Sequence, residues 1–332
     1  MKIWNGLSRR PMALVAGAAL LTVASLPASA QTYPTKGITM IVPFAAGGPT
    51  DTVARLLGQS MGKTLGQTII VENVGGAGGT LGAARAAKST PDGYTIFLHH
   101  IGHATSATLY RKLPYDTIND FAPIGLVTDV PMTLVTKGGL APNSLAELVD
   151  YLKKNKDKVT YANAGVGAAS HLCGMLFMSA IATELTTVAY RGTGPAMNDL
   201  LGGQVDVMCD QTTNTTSQIM AGKIKVYAVT TSTRVPSLPD VPTSTEAGLP
   251  ALQVAVWHGL YAPKGTPKAV VDRLVAALQG ALEDPIVKDR FGELGTEPVA
   301  KDKATPEALA AHLKAEIDKW GPIIKSAGVY AD

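Results

Sequence analysis

The residues best suited to chemistry fall in two glycine turns, a histidine group and one aspartate. Phe44-Ala45-Ala46-Gly47-Gly48-Pro49-Thr50-Asp51 lies between a buried apolar run and an amphipathic stretch. Gly47 and Gly48 allow a tight turn, and the free N–H groups of the helix start that follows favour anions. The same residues also read as a plain strand-to-helix turn, with Thr50 as cap and Asp51 easing the helix dipole. Gly165-Val166-Gly167-Ala168-Ala169-Ser170-His171 repeats the pattern later in the chain. Two such turns face to face would hold a carboxylate between helix N-termini, with no arginine required.

His99, His100 and His103 follow the third strand-like run, with Gly102 among them, at the sheet edge that carries the first turn. One of His100 and His103 is expected to reach the far end of a bound molecule. No metal is expected, because residues 99 and 100 of an extended chain point to opposite faces and cannot both meet one ion. His171 reads as packing, His258 as a residue of the cleft, and His312 as solvated. Asp210, read as lying past a strand end, either faces the cleft or caps the helix that begins at Thr212. Gly75 to Gly82 lacks the Gly-Lys-Ser/Thr ending of a phosphate loop and reads as a flexible turn, so no nucleotide cofactor is expected. Nucleophilic catalysis has little support: there is no Gly-x-Ser-x-Gly elbow. Ser170 beside His171 does not make a triad, nor do Asp206 and Asp210 make an acid/base pair.

The elements that position these residues alternate. Strands are expected at 39–44, 68–71, 94–98, 159–162, 187–190, 205–208 and 225–229. Helices are expected at 53–61, 82–87, 145–154, 171–180, 195–201, 212–220, 269–282, 286–294 and 309–324, the last opened by Thr305-Pro306. Apolar strands each followed by a helix predict an α/β fold of two mostly parallel sheets flanked by helices. Chain crossings near 131–137 and 252–258 divide it into a discontinuous first domain, 31–134 with 255–332, and a second, 135–254. The cleft between them is the natural ligand site.

Residues 1–30 read as a targeting signal. Lys2, Arg9 and Arg10 precede the apolar run Met12 to Leu26, and Ala28-Ser29-Ala30 predicts cleavage after Ala30 and export to the periplasm. Without those three cations the net charge of +3 becomes zero, so the basic footprint of a nucleic-acid binder is missing. Cys173 and Cys209 are the two cysteines; in an exported chain they read as one disulfide, with two small buried thiols as the alternative.

Taken together these runs resemble the Bug family, the periplasmic substrate-binding proteins of tripartite tricarboxylate transporters. The resemblance rests on Ile41-Val42-Pro43-Phe44 with Gly47-Gly48 and Asp51, and on Val71-Glu72-Asn73 with Gly76-Ala77-Gly78-Gly79. It continues through Pro91-Asp92-Gly93-Tyr94-Thr95, Leu113-Pro114-Tyr115-Asp116, Tyr190-Arg191-Gly192, Asp199-Leu200-Leu201-Gly202-Gly203 and Gly259-Leu260-Tyr261-Ala262-Pro263. It implies a two-domain periplasmic binding protein fold, a monomer without cofactor or catalytic activity, and integral membrane subunits as partners. The implied ligand is a small carboxylate, aliphatic or aromatic, gripped by Phe44, Ala46, Gly47, Gly48 and Thr50 on one side and Gly165, Gly167, Ala168 and Ser170 on the other. His100, Gly102, His103 and Asp210 complete the expected site. Two departures stand out. Ala168 replaces a frequent Ser or Thr, and Val74-Gly75 replaces the usual Arg-Pro. A ligand-presenting subunit for a sensor kinase, or a hydrolase, are the alternative readings.

Overall fold

The computed structural model describes Met1 and residues 33–331; the cleavage site after Ala30 and the rest of the targeting signal lie outside the described residues. The first part of the chain runs β1 (Ile38–Val42), α1 (Pro49–Leu65), β2 (Ile69–Asn73), α2 (Thr80–Ala87), β3 (Thr95–His100), α3 (Gly102–Leu109) and β4 (Phe121–Lys137). Then come α4 (Leu145–Asn155), β5 (Thr160–Asn163), α5 (Ala169–Ala180), β6 (Thr186–Ala189), α6 (Thr193–Leu201), β7 (Val207–Gln211), α7 (Thr212–Met220) and β8 (Ile224–Val229). The chain ends with β9 (Ala255–Pro263), α8 (Lys268–Glu283), α9 (Pro285–Glu293) and α10 (Pro306–Ala327).

The strands form one path, β2-β1-β3-β9-β4-β7-β5-β6, with β8 also paired to β4. Its flanks are parallel, β2-β1-β3 at one end and β6-β5-β7 at the other. The middle is antiparallel, through β9 and β4. Strand β4 is the spine: Phe121 to Pro131 pairs with β9, and Met132 to Lys137 pairs with β7 and β8. Pro131, with no N–H to give a ladder, sits where the pairing changes hands. This spine is absent from the sequence reading, which treats 131–137 as a connection. Pro123, Gly125 and Asp129 break the apolar alternation, and the register slips at Pro123/Gly125 and at Leu126/Thr128, as β-bulges do.

Helix α1 shows why the flanking layers hold. Val53, Ala54, Leu57 and Met61 recur at helical spacing, all fully buried, in one core with Leu274, Leu278 and Leu282 of α8. Burying a side chain of this size stabilises by about 1.5–3 kcal/mol. The helix stops at Gly66, whose φ of 69° suits glycine. In α5, Cys173 is bonded to Cys209 of β7 with a Cα–Cα distance of 6.0 Å, so the two cysteines are a pair. Helix α10 starts as expected, with the Thr305 hydroxyl accepting from the Ala308 N–H at 3.2 Å and Pro306 next. Among the described residues no helix is long and apolar enough to cross a membrane.

Candidate ligand-binding site

The turn after β1 is held by Asp51. Its carboxylate accepts from the Gly47 N–H at 3.0 Å, from Arg55 through two nitrogens at 2.9 Å, and from Asn73 Nδ2 at 3.0 Å. Asn73 also donates to the Phe44 carbonyl at 3.0 Å. Burial pushes the Asp51 carboxyl up, but these donors outweigh it and hold it below its usual range. The Gly47 N–H is therefore engaged within the turn. Gly48, not Thr50, is the N-cap, and the Thr50 hydroxyl lies 3.3 Å from His258 Nε2. His258 thus sits behind Thr50.

A small buried cavity lies beside this turn. It is lined by Phe44, Pro49, Thr50, His100, Ala164, Ala168, Ala169, Ser170, Thr193, Asp210 and Gln211. Pro49 and Thr50 open α1, Ala169 and Ser170 open α5, Thr193 opens α6, and Gln211 is the N-cap of α7. Four helix N-termini meet there. The first-turn N–H groups of a helix have no intrahelical acceptor, and each N-terminus carries about half a positive charge. No lysine or arginine lines the space, so the positive charge that faces it is that of the backbone dipoles. The space open to the centre of a water-sized sphere is about 10 Å³, roughly that of one water.

Of the thirteen residues expected to bind, Phe44, Thr50, His100, Ala168, Ser170 and Asp210 line the cavity. His100 stacks on Phe44 with ring centres 4.6 Å apart. Its Nδ1 accepts from the Gly102 N–H at 2.9 Å, so the neutral ring carries its proton on Nε2, a donor. Burial, and then the neighbouring His258, press the His100 pKa well below its ordinary value, which keeps the ring neutral. Both His99 and His100 belong to β3 itself, where the sequence reading put them after the strand. Asp210 likewise ends inside β7 and does not cap α7; its Oδ2 accepts from Asn214 Nδ2 at 2.6 Å. Burial raises its pKa to about 6, against the Asn214 amide, the Gln211 N–H and the Thr193 hydroxyl, which lower it.

His103 is elsewhere. It is fully buried among Phe97, Tyr115, Phe121 and Tyr261, with ring centres 4.8–6.2 Å away. Neither ring nitrogen has a hydrogen-bond partner of good geometry among the described residues. Burial lowers its pKa to about 3, with weak opposition from the Thr117 backbone. His312, read as solvated, is half-buried with its ring centre 4.8 Å from that of Trp257.

The glycines of both turns form a seam around the cavity and do not line it. A Cβ on Gly48 would lie 3.3 Å from the Gly194 nitrogen, and one on Gly194 would lie 2.8 Å from the Ala46 carbonyl oxygen. The φ of Gly48 is −90°, so close approach, not a left-handed backbone, is what favours glycine there. Ala45 N–H donates to the Arg191 carbonyl at 2.9 Å. On the other side, Thr105 Oγ1 donates to the Gly167 carbonyl at 3.1 Å, and Tyr110 OH lies 2.9 Å from the Val166 carbonyl and 2.7 Å from that of Ala77. A Cβ on Gly165 would lie 3.0 Å from the Gly78 nitrogen, and one on Gly102 3.2 Å from the Gly167 carbonyl oxygen. The stretch from Gly75 to Gly82, read as a flexible turn, is therefore packed: a Cβ on Gly78 would collide with Val166.

The sequence reading missed Pro49, Ala164, Ala169, Thr193 and Gln211. Thr193 carried a signal. Arg191-Gly192-Thr193-Gly194-Pro195 is a third glycine turn from strand to helix, of the kind already recognised twice. Gln211 carried none, since β7 runs into α7 without a turn.

A dipole-lined, buried space lies between helices of the two sheet flanks, and two parallel flanks joined through antiparallel strands are the architecture of the two-domain solute-binding proteins. Residues 53–329 match the model of the tripartite tricarboxylate transporter family receptor. The periplasmic binding protein BugD is 54% identical, with a TM-score of 0.88 over 90% of this chain and 100% of that one. MatC of Rhodopseudomonas palustris, solved with malate bound, is 42% identical, with a TM-score of 0.85 over 88% of this chain and 100% of that one. Rpa4515 of R. palustris, solved with adipate, is 33% identical, with a TM-score of 0.85 over 90% and 99% of the two chains. The chain belongs to the tripartite tricarboxylate transporter receptor family, and it is a solute-binding protein, not an enzyme.

Proposed function

We propose that this protein is exported by cleavage after Ala30, captures a small carboxylate between domains 31–134 with 255–332 and 135–254, and delivers it to integral membrane subunits of a tripartite transporter. The observation that carries the reading is the meeting of four helix N-termini in one buried space without a cationic side chain. An anion there is favoured by all four at once, and only when the domains are together. The malate and adipate bound by the two R. palustris proteins support a linear dicarboxylate. His100 Nε2–H and the Ser170 and Thr50 hydroxyls supply neutral polar groups around it. Since the cavity holds little more than a water, the domains must part to admit an organic acid and settle around it.

A thermal-shift screen of organic acids on the mature protein tests this. A site ligand at a hundred times its Kd adds about 2.7 kcal/mol to folding stability, so at least one small carboxylate should raise Tm by several degrees. A panel of mono-, di- and tricarboxylates that leaves Tm unmoved contradicts the proposal.

A further inference from the structure

The cavity that attracts anions also holds two acceptors. Asp210 is 1% exposed and Gln211 2% exposed, and both line the space. A carboxylate among helix N-termini gains from their dipoles, but it also repels the anion those dipoles attract. A site built for an unsubstituted acid has no use for it. The hydrogen bonds around Asp210 leave room for one more. An ionised carboxylate offers about four lone-pair sites; Asn214 Nδ2 meets one at 2.6 Å, and the Gln211 N–H and the Thr193 hydroxyl are the other donors beside this carboxyl. Gln211 Oε1 is buried without a hydrogen-bond partner among the described residues. A buried acceptor left unmet is unfavourable. Around it, His100 and Tyr161 are the titratable groups, and both are fully or nearly fully buried.

We propose that Asp210 and Gln211 form a donor-reading subsite, selecting carboxylates that carry a hydroxyl or ammonium group near the gripped carboxylate over the same acids without it. This rests on the carboxylate reading above and sharpens it to a class of ligand. Both groups supply the same chemistry, an N–H or O–H directed at two fixed acceptors. An acid lacking that donor leaves Gln211 Oε1 unmet and sets its own charge against Asp210 uncompensated. Sites that hydrogen-bond a substrate hydroxyl reject the analogue lacking it strongly, because their own polar groups are then left unpaired.

Calorimetric titration of the mature protein with malate, aspartate and succinate, three four-carbon diacids, provides the test. Malate or aspartate should bind about ten- to a hundredfold more tightly than succinate; whichever does so names the donor as hydroxyl or ammonium. Asp210→Asn and Gln211→Leu should each narrow that ratio, chiefly by weakening the donor-bearing acid while succinate holds or gains. A variant that merely misfolds would weaken all three together, which the succinate arm reveals. Equal binding of the three by the parent overturns the subsite alone, as does an unchanged ratio in both variants. Binding of none of them overturns the subsite and counts against the carboxylate reading as well.

Discussion

His100 and His103 stand three residues apart and do different things. His100 ends β3 at the cavity with a donor nitrogen free of the backbone, whereas His103 turns into an aromatic box and makes no good hydrogen bond. Both were plausible from sequence, since the reading placed them together after a strand that in fact includes the first and ends before the second. Their burial has a consequence for pH. A histidine in the unfolded chain titrates near 6.5, while His103 and His258 are pressed to about 3 by burial. Below pH 6.5 the unfolded chain takes up protons that the folded chain refuses, so stability is full above about pH 7 and falls as pH drops towards 3. The loss is about 1.4 kcal/mol per pH unit for each such histidine. His103→Phe should leave stability near pH 7 unchanged or slightly higher and make the acid limb shallower by about that amount. Urea melts at pH 7, 5.5 and 4.5 measure this, and an unaltered acid slope contradicts it. Asp210 shows the limit of sequence at this scale. Its type and neighbourhood were legible, but its place inside β7 depended on a strand end that the sequence does not mark.

At the scale of elements, the strand-to-helix turns were legible because glycine clusters punctuate the chain between apolar runs. Their role was not, because close approach between distant segments leaves no local signature. Gly48 and Gly194 belong to the same seam, yet 146 positions separate them. Gly194→Val should keep each half folded and hinder closure, since the added side chain meets the Ala46 carbonyl and the Gly48 nitrogen at 2.8–3.0 Å. Affinity for an acid that binds the parent should fall at least about a hundredfold, an amount of roughly 2.7 kcal/mol, with the far-ultraviolet circular dichroism unchanged. Parent-like affinity contradicts the seam. The disulfide works at this scale too, joining α5 to β7 just behind Ser170 and Asp210. Replacing both cysteines by alanine should lower stability by about 3–4 kcal/mol for a separation of 36 residues, read from chemical denaturation. A loss below 1 kcal/mol, or two free thiols in unreduced denatured protein, contradicts a structural role. Strand β4 was hidden for the opposite reason: its bulges and prolines erase the alternation that identifies shorter strands.

For the whole molecule, the alternation of strands and helices and the matched runs along the chain were enough to indicate an α/β solute receptor. What they could not convey is that β4 and β9 tie both flanks into one continuous sheet path, because antiparallel pairing of segments more than a hundred residues apart follows from no local pattern. On this frame four helix N-termini line one space, and the function proposed above has the charge of a ligand draw them together on closure. The most direct test is calorimetric titration of the mature protein with malate beside its dimethyl ester, which keeps the skeleton and hydroxyl and removes the charge. The account predicts saturable binding of the free acid and at least about a hundredfold weaker binding of the ester. Equal affinity for acid and ester would mean that the helix termini do not grip an anion.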